Sequence, residues 1–245
     1  ICQPSSRQQF LAATSVLDVL TPEVCDLLLE RHDSRQVLDD LERQQLFLTP
    51  LARRGAFRYH QLFREFLLDR LGKEREAYCR RAGTVAERLG GIETAIECFL
   101  SAGAVDEAVR LIKAHGKQAL RQGRWQTMRR WLTELPHGAS RKEPWLMLYR
   151  AEVAICRGNL AEAERLLSEA QRIFAAEGDG AGLTEALIQD ARLLRSRGRY
   201  AESIERLDRA LPRLMPEDLR ERFDFSLEKS FALVLAGKLD RKSVV

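Results

Sequence analysis

Three glycines set at nearly equal steps limit this chain more than any other feature. Gly158, Gly198 and Gly237 recur 40 and 39 residues apart, in GNLAEAERLLSEA, GRYAESIERLDRA and GKLDRKS. Seven residues before the first two lie Ala151 and Ala191. Nine residues after them come Leu167 and Leu207, and twelve after come Ala170 and Ala210. A small residue at a fixed place lets two helices approach, and a large one fills the gap to the next pair. The expected result is a stack of helical hairpins.

The same plan extends upstream. GIETAIECFLSAGAVDEAVRLI places Ile92, Ala95, Ile96, Phe99 and Leu100 before Gly103, then Val105, Ala108, Val109, Leu111 and Ile112 after it. After Gly123, Trp125, Met128, Trp131, Leu132 and Leu135 fall on one side of a helix that Pro136 stops. The pattern from Glu143 onward resembles the tetratricopeptide repeat, although its period exceeds that family's 34 or so, which implies longer helices or loops. Such stacks offer a surface to a peptide, a protein or a small ligand.

Residues 1–72 read differently, as three helices, two short strands and a helix, which is the order of a winged helix. Phe10, Leu11, Ala13 and Leu17 predict a first helix ending before Thr21-Pro22, where Thr21 caps and Pro22 opens the second. Ser34 is the expected cap of a third helix with Val37, Leu38 and Leu41 inside. Leu46–Thr49 and Phe57–Tyr59 are β-like runs with Gly55 in the turn between them. The last helix is predicted to begin at His60, with Leu62, Phe63, Phe66, Leu67 and Leu71 on one face and Arg64, Glu65, Asp69 and Arg70 on the other. The fold class expected is mainly α, a winged helix (1–72), a helical arm with the first hairpins (73–136), and tetratricopeptide-like sensor repeats (137–245).

Charge argues against a nucleic-acid surface. The first 72 residues hold nine Arg and no Lys against ten acids, and the third helix sets Arg35 and Arg43 against Asp39, Asp40 and Glu42. Carboxylates facing a phosphate backbone are repelled, and counterion release needs several uncompensated cations. Arg53 and Arg54 in the wing are too few. The run Arg124, Arg129, Arg130 between tryptophans reads as a solvated face or a contact for an acidic partner. The five cysteines are scattered and odd in number, as expected of reduced thiols in a cytoplasmic protein. No apolar run reaches membrane-helix length, so no membrane partner is expected.

Motifs for catalysis are not found. There is no G-x-x-x-x-G-K-[ST] loop, no G-x-S-x-G elbow and no zinc spacing among Cys79, Cys98 and His115. Asp39 and Asp40 project about 100° apart on a helix, a poor arrangement for joint acid–base work. Trp125, Trp131, Trp145 and Tyr149 read as core, or as a rim contacting a ligand or partner. His60 stands where free N–H groups and the helix dipole favour an anion. It reads either as a cap packed beside Tyr59 or as a phosphate contact.

FLAATSVLDVL, VLDDLERQQ and LFLTPL...FRYHQLFREFLLDRL together resemble the winged-helix part of STAND signalling ATPases, specifically the MalT-like, LuxR-type large ATP-binding regulators. The resemblance is specific over about residues 8 to 72 and looser beyond. It implies that His60 contacts the phosphates of ADP held, in the parent protein, by an upstream nucleotide-binding domain that uses ATP or ADP with Mg. It implies further that a small-molecule inducer or regulatory protein acts on the solenoid, and that DNA is met only through a C-terminal helix-turn-helix missing from this stretch. With no Walker A loop and a start lacking Met, the chain reads as a non-enzymatic fragment without a cofactor of its own. The competing expectation is a free-standing solenoid adaptor that binds a protein partner with no nucleotide role.

Overall fold

The computed structural model describes residues 4–44, 47–52, 55–136, 138, 143–214 and 219–237. The chain divides into two compact units, Ile1–Ile112 and Lys113–Val245. The first holds α1 (Pro4–Thr14), α2 (Pro22–Leu29), α3 (Ser34–Arg43), β1 (Leu48–Pro50), β2 (Phe57–Tyr59), α4 (Gln61–Leu71), α5 (Arg75–Arg88) and α6 (Ile92–Ser101). The boundary falls within α7 (Val105–Arg121). The second unit continues with α8 (Trp125–Glu134), α9 (Pro144–Cys156), α10 (Leu160–Glu177), α11 (Gly180–Ser196), α12 (Tyr200–Ala210) and α13 (Leu219–Leu235).

The first unit is a winged helix whose core is closed by later helices. β1 and β2 pair antiparallel with Leu48 opposite Tyr59 and Pro50 opposite Phe57. Leu20 adds a bridge on the other edge, donating to the Phe57 carbonyl at 2.8 Å and accepting from its N–H at 2.9 Å. Phe10, Leu20, Leu28, Leu38, Leu41, Tyr59 and Leu67 form one buried cluster, which Cys79 and Ala82 of α5 and Cys98 of α6 extend. Burial on that scale is the main driving force for a unit of this size. Inside it the Tyr59 hydroxyl lies 2.8 Å from Thr14 Oγ1, so the two polar tips satisfy each other.

Three local expectations are corrected. The first helix ends at Thr14 and does not reach Leu17, because Thr14 Oγ1 donates to the Phe10 carbonyl at 2.7 Å and Ser15 Oγ to that of Ala12 at 2.6 Å. These hydroxyls take the carbonyls of the last turn, and Leu17 is buried from the loop. Ser34 is not a cap but the first residue of α3, its N–H donating to Asp26 Oδ1 at 3.1 Å. The N-cap position belongs to Asp33, whose carboxylate is occupied by Arg31 at 2.5 and 2.6 Å. Thr21 does cap α2, accepting from Val24 N–H at 3.3 Å.

The third correction concerns α4. Leu67 and Leu71 are buried and Phe63 is half-buried, yet Leu62 is 70% exposed and Phe66 54%. Phe63, Leu67 and Leu71 form one i, i+4 row, while Leu62 and Phe66 form another, about 100° around the helix. The core takes the first row. On its other flank Arg64 turns inward, donating to the Ser15 carbonyl at 2.9 Å and pairing with Asp18 at 2.8 Å. The wing residues Arg53 and Arg54, Leu46, and the sequence after Gly237 lie outside the described residues.

The second unit is a tetratricopeptide-like solenoid. Helices from α8 to α13 pack consecutively, and α9 also packs on α11 and α11 on α13. Ala151, Ala191, Ala170 and Ala210 are buried at the close approaches, with Leu167 and Leu207 between them. The long period comes from long helices, 18 residues in α10 and 17 in α11. Gly158 and Gly198 turn each hairpin at φ 76° and 75°, a conformation that costs other residues. At Gly116 a Cβ would stand 2.5 Å from the Tyr149 ring, so only glycine lets α7 pass this close to α9. No helix among the described residues is long and apolar enough to cross a membrane.

Candidate functional site

Two places in the molecule gather functional chemistry, one in each unit. The first is the start of α4. His60 follows β2 directly, with φ −57° and ψ 137°, and occupies the N-cap position without a side-chain cap bond. Its N–H donates to the Phe47 carbonyl at 2.8 Å, and its own carbonyl accepts from Arg64 N–H at 2.9 Å. The backbone is fixed and the imidazole is exposed. No acidic residue lies in the first turn of α4. The uncapped N–H groups and the positive end of the dipole are thus left to an outside acceptor. An exposed ring beside an uncapped helix start fits a phosphate group.

The surface around His60 is apolar. Phe47 is 56% exposed and stacks on Phe63 at 4.5 Å between centroids; Phe63 stacks on Phe66 at 6.4 Å, and the Arg70 guanidinium sits 5.5 Å from the Phe66 ring. Phe47 also holds φ at 54°, a left-handed conformation that costs a non-glycine residue about 1–2 kcal/mol. Strain and uncovered aromatics coincide here, beside the one histidine the sequence singles out. On α3, Arg43 pairs with Asp40 at 3.2 Å, so that helix presents compensated charge.

The second place is a cavity of about 450 Å³ in the solenoid, walled by α7, α9, α11 and α13. Four cations line it: Lys117, Arg121, Arg192 and Arg195. Three anions oppose them: Glu152, Glu185 and Glu228. Arg192 donates to Glu228 at 2.9 Å and to Glu152 at 3.4 Å, Arg195 reaches the second oxygen of Glu228 at 3.3 Å, and Lys117 pairs with Glu185 at 2.8 Å. Burial pushes the Glu152 carboxyl up, although the nearby Arg192 guanidinium pulls it down.

The four aromatic candidates do not share a rim. Trp131 and Tyr149 are each 1% exposed, inside the packing of α8 and α9. Tyr149 also lines the cavity, its hydroxyl donating to the Lys113 carbonyl at 2.9 Å. Trp145 is half-buried, edge-on to Phe174 at 5.5 Å, with Nε1 donating to Asp179 at 3.2 Å. Trp125 is half-buried at the start of α8. Cys25, Cys79 and Cys98 are buried and Cys156 exposed, all four as free thiols. Burial pushes the thiols of Cys25 and Cys98 up to about 12.

The charged cavity is the feature that reading the sequence missed. A signal was present: Glu152 interrupts the otherwise apolar AEVAIC, and Gln189, Arg192 and Arg195 recur every third residue in α11. Charges at helical spacing on a helix that is buried elsewhere mark a wet inner wall.

Residues 2–78 match the MalT winged helix domain. The chain is 26% identical over 244 residues to the HTH-type transcriptional regulator MalT of Vibrio campbellii, covering 96% of this chain and 27% of that protein. It is 28% identical over 172 residues to the HTH-type transcriptional regulator AlkS of Pseudomonas putida, 68% of this chain and 20% of that one. A solved structure, a Signal Transduction ATPase with Numerous Domains (STAND) protein with a tetratricopeptide repeat sensor from Pyrococcus horikoshii, superposes with TM-score 0.65. It has 16% sequence identity and covers 97% of this chain and 36% of that one. At that identity the likeness is one of fold. The chain thus spans about a quarter or less of the curated relatives it matches.

Proposed function

This chain carries a MalT-type winged helix domain and resembles the LuxR-type MalT regulators along its length, and from that premise we propose that it is the regulatory and sensing part of a signal-dependent transcriptional activator. In this reading the winged helix docks on a nucleotide-binding domain of the same polypeptide, and the solenoid receives the signal. The observation that carries it is the surface around His60. An exposed imidazole, an uncapped helix start and the uncovered side chains of Phe47, Leu62 and Phe66 lie together. Such a surface supports docking onto an ADP-bearing partner domain, His60 donating to a phosphate oxygen while the aromatics leave water. ADP would supply the negative charge. The protein supplies the fixed backbone that aims the ring.

The switch has two states. Signal binding favours the open state only by its differential affinity, and reversing a 1:99 population takes about 5.5 kcal/mol. The DNA contact belongs to another part of the longer protein, since the charges on α3 are balanced by its own acids. The test is His60→Ala in the full-length regulator. ADP dissociation is expected to quicken and basal transcription to rise. Unchanged ADP retention removes His60 from the mechanism.

A further inference from the structure

The repeat that builds the solenoid also builds the cavity. Nine, six and three residues before Gly158 stand Tyr149, Glu152 and Ile155; the same places before Gly198 hold Gln189, Arg192 and Arg195; nine before Gly237 comes Glu228. All seven line the cavity. Spacing by three keeps them on one helix face, and the repeated alanines Ala151 and Ala191 occupy a different, buried position. The scaffold positions are thus alike from hairpin to hairpin, whereas the wall positions carry different chemistry.

The wall is not satisfied by its own groups. Glu228 uses both carboxylate oxygens on Arg192 and Arg195. Glu152 uses one oxygen on Arg192, and its Oε2 has no partner; Gln189 is only 3% exposed and its Oε1 has none; Arg195 Nε has none either. Two acceptors and one donor, shielded from bulk water, are left without a protein partner, and a buried polar group without a partner is unfavourable. The terminal torsions of Glu and Gln are broad, so a small rotation turns these oxygens to a guest.

Resting on the reading of the solenoid as a sensor, we propose that this cavity binds a small zwitterion of amino-acid or dipeptide size. Its ammonium is received by Glu152 and Gln189 and its carboxylate by Arg195. The volume lies within the range of about 300–1,000 Å³ found for small-molecule sites. Four cations against three anions leave one net positive charge, which disfavours a simple cation, and a simple anion would leave the acceptor oxygens of Glu152 and Gln189 without a donor. A neutral polyol would fill the hydrogen bonds but leave the Glu152 charge without its own counter-ion, because Arg192 is shared with Glu228. A molecule carrying both signs answers the donor and the acceptors together.

The experiment is calorimetric titration of the chain with the twenty free L-amino acids, glycylglycine and alanylalanine, with maltose as a neutral saccharide control. Every binder is paired with its N-acetyl and C-amide forms. At least one zwitterion is expected to bind, with each blocked form weaker by about 10- to 100-fold, as loss of a charged hydrogen bond requires. Glu152→Gln is expected to close the gap between free and N-acetylated ligand, and Arg195→Gln the gap between free and amidated ligand. Exposed Arg172→Gln should change neither. Binding of no zwitterion, equal binding of the blocked forms, or binding of maltose alone overturns the assignment, and the ligand-side comparison needs no variant to fold. Binding without any effect on transcription in the full-length regulator would sink the sensor reading and leave the site standing. Transcription answering to a signal that no zwitterion reproduces would do the reverse.

Discussion

Leu62 and Leu67 are the same residue type, five positions apart on α4, and should respond very differently to truncation. Leu67 is 5% exposed in the core of the first unit, and Leu62 is 70% exposed. Leu67→Ala loses the transfer energy of a buried side chain and leaves a cavity, together about 2–5 kcal/mol. Leu62→Ala removes atoms already in water and should stay within about 0.5 kcal/mol. All three tryptophans, Trp125, Trp131 and Trp145, belong to the other unit, so their fluorescence is blind to this change. Amide hydrogen exchange read by mass spectrometry is the suitable assay. At about 3 kcal/mol, Leu67→Ala should speed exchange at the Leu38 and Leu41 amides of α3 by roughly a hundredfold, whereas Leu62→Ala should leave it within about twofold. Comparable acceleration by both variants would mean that the Leu62 row is packed, and the docking surface beside His60 would vanish with it.

Two further outcomes follow from the second unit. Gly182→Ala puts a Cβ 2.2 Å from the Phe174 ring, whereas Gly180→Ala meets nothing within 4 Å. The first should cost about 1–3 kcal/mol in urea unfolding followed by tryptophan fluorescence, and the second nothing or a small gain; equal effects would refute the close approach of α10 and α11. Glu152, whose carboxyl burial pushes up, keeps its proton in the folded state over a range where the unfolded chain has lost it. Its contribution is therefore present below the unfolded value of about 4.3 and lost as pH rises through the folded one. Glu152→Gln should make the stability of this unit fall less steeply with pH above about 4.3, with Arg192, Glu185 and Glu228 still facing the site in both proteins. An unchanged slope refutes the assignment.

The solenoid was legible because its signal is repeated: a glycine, an alanine and a leucine at fixed offsets say the same thing in each hairpin. Thr21-Pro22 was legible because capping is local chemistry. What escaped was decided by competition between neighbours. Asp33 lost its capping role to Arg31, and the hydroxyls of Thr14 and Ser15 stopped α1 early. On α4 five apolar residues span two rows, and which row turns inward depends on tertiary contacts that the helix's own pattern does not contain, among them those of Arg64 with Ser15 and Asp18. The cavity escaped for a related reason. Glu152, Arg192 and Glu228 are ordinary surface residues one at a time, and become a site only when successive hairpins bring residues 36 and 40 positions apart within hydrogen-bond reach.

Because the alanines that let helices touch and the charged side chains that face the cavity occupy separate places in each hairpin, the two can change independently. Glu152 in one hairpin and Arg192 in the next stand at the same place with opposite charge, whereas Tyr149, whose ring packs on Gly116, serves the frame as well as the wall. A few substitutions at the charged places would therefore recast the lining of the cavity, while the hairpins beneath go on stacking as before.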